Sequence, residues 1–152
     1  MNRRYFFLSS VAAVTALVRT ARADSAAGDP WSESELIESA TLAKELTSDA
    51  QQLHIICVTF PFLYKQKHIP HAQFAGPAEK PEGMAELRSV VRSLPKNALI
   101  VIYCGCCPMD KCPNIRPAYR ALKELGFKHI RVLDLPTNFH TDWTTKGYSV
   151  EA

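Results

Sequence analysis

The apolar run Ala98-Leu99-Ile100-Val101-Ile102-Tyr103 ends directly on the densest cluster of cysteines in the chain. The cluster reads Cys104-Gly105-Cys106-Cys107-Pro108-Met109-Asp110-Lys111-Cys112-Pro113-Asn114-Ile115-Arg116. The run is too short for a helix, and its β-branched residues suit a buried strand. Pro117 is tolerated only in a first helical turn, so a helix begins near Asn114 to Arg116. Asn114 is a good N-cap, and Gly126 is a stop. Between them, Ala118, Ala121, Leu122 and Leu125 recur at helical spacing. Strand, cysteine loop and helix together put Cys104 at a strand end, facing the first turn of a helix. The field there favours a thiolate.

The other segments alternate in the same way. Ser32-Glu33-Ser34-Glu35 fits a capping box, and Leu36, Ala40, Ala43 and Leu46 follow at helical spacing. Ser48-Asp49 closes that helix. Leu53-His54-Ile55-Ile56-Cys57-Val58 reads as a strand ended by Phe60-Pro61-Phe62. Lys67 to Ala72 is turn-like. Pro81 opens a helix with Met84, Leu87, Val91 and Leu94 on its inner face, and Leu94-Pro95 stops it. His129 to Leu133 is another strand, and Leu135 to Trp143 reads as loop. Alternating helices and short buried strands predict an α/β fold, a largely parallel sheet with helices on both faces. Ligands in such sheets bind beyond the carboxyl ends of the strands, where Cys104 sits.

The first residues differ in kind. Asn2-Arg3-Arg4 precedes Tyr5-Phe6-Phe7-Leu8 and a mild apolar run to Val18, and Ala21-Arg22-Ala23 has the spacing of a signal-peptidase site. The run is too short to span a membrane comfortably. Arg3-Arg4 with Phe6 resembles a twin-arginine export signal. The sequence therefore divides into an export signal over 1–23, a polar stub over 24–30 and one domain over 31–152. The expected location is periplasmic or secreted, with the export machinery as a partner. Removing residues 1–23 takes away four arginines and no acid, so the formal charge of +3 falls to −1. Nucleic-acid binding thereby loses its electrostatic support.

The five cysteines are Cys57, Cys104, Cys106, Cys107 and Cys112. An odd number leaves at least one thiol free or paired with another chain. Bridges that stabilise a fold close long loops. Four cysteines within nine positions point instead to local chemistry, a metal or local redox control.

In order along the chain, these landmarks resemble the rhodanese family of sulfurtransferases. Lys67-His68-Ile69-Pro70-His71-Ala72 is similar to that family's Gly-His-Ile-Pro-Gly-Ala segment. Val101-Ile102-Tyr103-Cys104 resembles the strand that delivers its persulfide cysteine, with Leu125-Gly126-Phe127 closing the next helix. Trp143 and Gly147-Tyr148-Ser149-Val150 resemble its tryptophan and Gly-x-Pro-Val ending. The resemblance implies a rhodanese-like parallel-sheet sandwich over 31–152. It implies a sulfurtransferase or sulfur carrier without cofactor, working through a persulfide on Cys104. The donor would be a small sulfur-containing anion such as thiosulfate, and the acceptor a thiol or cyanide. Gly105, Lys111 and Arg116 are the candidates for holding the anion.

Two departures stand out. The family's Asp-x-Arg after the second strand is replaced by Cys57 and Thr59. Its catalytic loop of about six residues, a cradle of backbone N–H groups, is here longer and carries three extra cysteines. Cys106, Cys107 and Cys112 could form a disulfide, resolve the persulfide as a local redox pair, or hold a soft metal such as Cu(I) or Zn. Vicinal Cys106 and Cys107 are poorly placed to bond each other. A non-catalytic module built on such a disulfide or metal, and a periplasmic thiol-disulfide protein, are the alternative readings. A Cys-x5-Arg phosphatase is disfavoured. The residues six past Cys104, Cys106, Cys107 and Cys112 are Asp110, Cys112, Pro113 and Ala118.

Overall fold

The computed structural model describes residues 28–48 and 52–152. The export signal, most of the polar stub and Asp49 lie outside the described residues. Five parallel strands form one sheet in the order β1-β5-β4-β2-β3. They are β1 (Leu36–Glu38), β2 (Leu53–Cys57), β3 (Gln73–Phe74), β4 (Leu99–Tyr103) and β5 (His129–Asp134). The helices are α1 (Ser39–Ser48), α2 (Pro61–Gln66), α3 (Pro81–Val90), α4 (Ile115–Glu124) and α5 (Phe139–Asp142).

Side chains alternate across a strand, and that period divides the core into two layers. Ile56, Ile100, Ile102, Ile130 and Val132 face one layer, closed by Leu87 of α3 and Ala118 and Leu122 of α4. Ile55, Cys57, Val101, Tyr103 and Leu133 face the other, closed by Leu42 of α1 and by Trp143. Burial on both faces explains why β4 reads as an unbroken apolar run. The α/β sheet with helices on both faces is therefore the architecture observed.

Four local readings change. Leu36, at helical spacing with Ala40, belongs to a strand: Leu36–Glu38 pairs with Val132–Asp134, and the helix begins at Ser39. The capping box closes a 3-10 turn at Glu33–Glu35 instead. Glu35 accepts from the Ser32 N–H at 2.8 Å, and also from the Tyr119 hydroxyl of α4 at 2.7 Å. Pro61, read as the end of β2, is the first residue of α2, a position where its missing N–H costs nothing. Phe139–Asp142, within the expected loop, forms a short helix capped by the Asn138 side chain.

Candidate active site

β2 and β4 are adjacent and in register, with Cys57 opposite Tyr103. Their carboxyl ends open onto a cavity of about 340 Å3. Cys57, Tyr103 and Cys104 lie on its strand side, with Gln66 and Lys67 from the end of α2 and Phe139 and His140 from α5. Among the described residues, its lining holds no carboxylate. Thr59 contributes a buried Oγ1 with no hydrogen-bond partner among the described residues. An unpaired buried hydroxyl is costly unless a ligand or water completes it.

The loop after Cys104 is fastened to the segment following β5. Gly105 has φ +75°, and a Cβ there would meet the Phe139 Cβ at 2.5 Å, so both conformation and space demand glycine. The Gly105 carbonyl accepts from the Phe139 N–H at 3.1 Å, and the Leu135 carbonyl accepts from the Met109 N–H at 3.2 Å. These bonds turn the loop back over the strand end. They gather Cys104, Cys106 and Cys112, whose sulfur atoms all lie within 4.8 Å of one another. Cys104 Sγ is 3.2 Å from Cys106 Sγ, which is 3.2 Å from Cys107 Sγ. All five cysteines are free thiols in this structure.

The thiols differ sharply in acidity. Hydrogen bonds from Cys104 and Cys106 hold Cys112 far below the usual thiol range, and the backbone N–H groups of Asn114 and Ile115 add to this against the opposing effect of burial. The hydrogen bond with Cys106 pulls Cys104 down, but the bond with Cys112, burial and the Cys112 charge outweigh it and raise the thiol. The bond with Cys104 is the largest influence pushing Cys106 up, and burial is the largest pushing Cys107 up. Of the clustered thiols, Cys112 is the one that is lowered. The backbone N–H groups of Asn114 and Ile115 at the start of α4, expected to act on Cys104, bear on Cys112. Cys57 is pushed up to about 12 by burial, against weaker help from Tyr103 and the Thr59 amide.

Asn114 occupies the N-cap position, but its backbone is helical and its side chain does not cap. It is fully buried, accepts from the Glu79 N–H at 3.1 Å and donates Nδ2–H to Cys104 Sγ at 3.5 Å. The strand-end thiol therefore has an amide partner supplied ten residues later.

Arg116 and Lys111 do not line the cavity. Arg116 Nη1 donates to the Met109 carbonyl at 3.1 Å, its guanidinium pairs with Asp29, and its charge lies 5.5 Å from the Trp31 ring centroid. Lys111 is exposed in the 3-10 turn Met109–Lys111. The cavity's basic side chains are Lys67 and His140. Neither carries a motif signal of its own, since each reaches Cys104 only through the placement of α2 and α5. His68 instead holds the turn, its Nδ1 2.8 Å from the Tyr64 carbonyl and its ring stacked on Tyr64 at 3.9 Å. Phe139 stacks between Tyr103 and Trp143, at 5.5 and 6.1 Å.

Comparison with known proteins agrees with the fold. No curated protein matches the chain. A protein from Bacillus halodurans superposes with a TM-score of 0.61 at 23% identity, over 78% of this chain and 77% of that one. A rhodanese-like domain from Anabaena sp. gives a TM-score of 0.57 at 20% identity, over 78% and 79%. A rhodanese-related protein from Thermoplasma volcanium gives 0.53 at 18%, over 77% and 97%. At such identities these neighbours speak for the fold. The profile of the rhodanese-like domain covers residues 39–135, from the start of α1 to just past β5, and the chain belongs to the rhodanese-like domain family.

Proposed function

We propose that this protein is a sulfurtransferase or sulfur carrier that moves sulfane sulfur through a persulfide on Cys104. The observation that carries the reading is a strand-end thiol on the wall of an acid-free cavity whose other side presents Lys67 and His140. Such a cavity suits a small dianion with a transferable sulfur, thiosulfate being the simplest.

Cys104 borders the cavity and gives up its proton to solvent before the donor is attacked. The Cys104 thiolate attacks the outer sulfur of thiosulfate. A Sγ–S bond forms, the S–S bond of the donor breaks, and its electron pair leaves with sulfite. The terminal sulfur then passes to a thiol or cyanide, which returns Cys104 to the thiolate. Asn114 Nδ2–H steadies the developing charge at Cys104. Lys67 and His140 attract the donor's oxygens.

Intact-mass analysis after thiosulfate tests the reading. Reduced wild type should gain one sulfur atom and Cys104→Ser none. Equal labelling of both proteins overturns the nucleophile assignment, and wild type that never labels overturns the function. Export rests on Arg3-Arg4 and Ala21-Arg22-Ala23. It is tested by the N-terminus of protein recovered from the periplasm, which should lie near Asp24.

A further inference from the structure

A second and much smaller space also borders Cys104 and Gly105. Its volume is about 10 Å3, room for a single atom. Cys104, Cys107, Cys112 and Met109 supply the sulfur on its walls, and Ile115, Leu133 and Leu135 supply hydrocarbon. Among the described residues, no carboxylate or imidazole borders it. Cys106 completes the group, because its Sγ lies with those of Cys104 and Cys112 inside a common 4.8 Å limit.

We propose that Cys104, Cys106 and Cys112 form a trigonal thiolate site for one Cu(I) ion. The sulfur atoms of Cys104, Cys106 and Cys112 lie within 4.8 Å of one another, close enough to share one ion, and soft donors select soft ions. Zn(II) almost always takes four ligands, whereas the group whose sulfur atoms share the 4.8 Å limit has three, with Cys107 outside it. Cu(I) is satisfied by fewer. Binding releases the protons of the ligating thiols. Asn114 Nδ2–H on Cys104 Sγ is the outer-shell bond that orients one ligand. Cys57, on the opposite face of the sheet, is outside the site. Cys104 then belongs to two places at once, the anion cavity and the metal site, so a bound ion occupies the thiol that would attack a sulfur donor.

Anaerobic titration of reduced, full-length protein with Cu(I) in competition with bicinchoninate tests this without any sulfur donor. One equivalent should bind. Cys104→Ser, Cys106→Ser and Cys112→Ser should each weaken binding by more than about 100-fold, beyond the range of outer-shell changes. Cys57→Ala and Cys107→Ser should leave it unchanged. X-ray absorption on the wild-type copper protein should count three sulfur neighbours, independently of whether any variant folds. No stoichiometric uptake, two sulfur neighbours, or a loss in Cys107→Ser as large as in Cys112→Ser with tighter binding of Zn(II) would each overturn the trigonal site. Persulfide labelling of metal-free protein is a separate measurement, so failure of either idea leaves the other standing on its own result.

Discussion

Cys57 and Cys104 stand at the ends of neighbouring parallel strands and border the same cavity, yet they are chemically unlike. Cys57 ends β2 and is followed by Val58, whose N–H continues the ladder to the Tyr103 carbonyl at 2.8 Å. Its thiol stays in the core layer with Tyr103 and Trp143, and burial keeps it protonated. Cys104 is followed by Gly105, whose positive φ turns the chain out of the sheet. That turn brings three more thiols and Asn114 around it. A strand end gives a thiol access to a cavity. The backbone conformation of the next residue decides which groups surround it.

The largest expected effect separates the two thiols outright. Cys104→Ser should abolish sulfur labelling, whereas Cys57→Ala should retain it while lowering stability by about 1–2 kcal/mol, a modest core truncation. Labelling lost in Cys57→Ala, with the fold intact by circular dichroism, would erase the distinction drawn here.

Gly105→Ala comes next. The alanine would face strain at φ +75° and a 2.5 Å approach to Phe139, so a loss of about 2–4 kcal/mol is expected from urea unfolding. A midpoint equal to wild type would show that the loop is not pinned to α5.

The cavity's cations sharpen the comparison further. Lys67→Ala should raise the thiosulfate concentration for half-maximal labelling about tenfold, and added salt should narrow the difference. Arg116→Ala should leave that concentration unchanged and show its effect in thermal stability, since its guanidinium serves the loop carbonyls and Asp29. The reverse pattern would return the anion site to the helix end.

The smallest effect lies at the other end of the sheet. Arg131 of β5 pairs with Glu45 at 2.9 and 2.7 Å, and this hydrogen-bonded pairing lowers the Glu45 carboxyl below its ordinary value. A carboxyl depressed in the folded state adds stability above its unfolded value, and that stability is lost as pH falls through the folded one. The pair is partly exposed, so the contribution is below about 1 kcal/mol. Unfolding midpoints of wild type and Glu45→Gln should converge as the pH is lowered through the carboxylate range. A constant gap would show that charge is not involved.

Much of the fold was legible because period and punctuation agree. The β4 run, the Pro81 and Pro117 helix starts and the Gly126 stop are local signals, and all stand in the structure. Leu36–Glu38 was not legible as a strand. Its three residues carry no period of their own, and only the edge of β5 makes them one. Pro61 opens as readily as it ends, so α2 was hidden, and with it Lys67.

The sequence by itself determined that a thiol follows a buried strand, that a helix begins about ten residues on, and that the thiols between them are too crowded to be a stability framework. These follow from burial, backbone chemistry and loop entropy, which act locally along the chain. Only the tertiary structure decided which thiol meets the amides of α4, where Asn114 turns its side chain, and which cations face Cys104. Each depends on how the cysteine loop folds back onto residues 135–139 and on where α2 leaves the sheet. Such distances are set by packing between segments remote in sequence, and no spacing of residues encodes them.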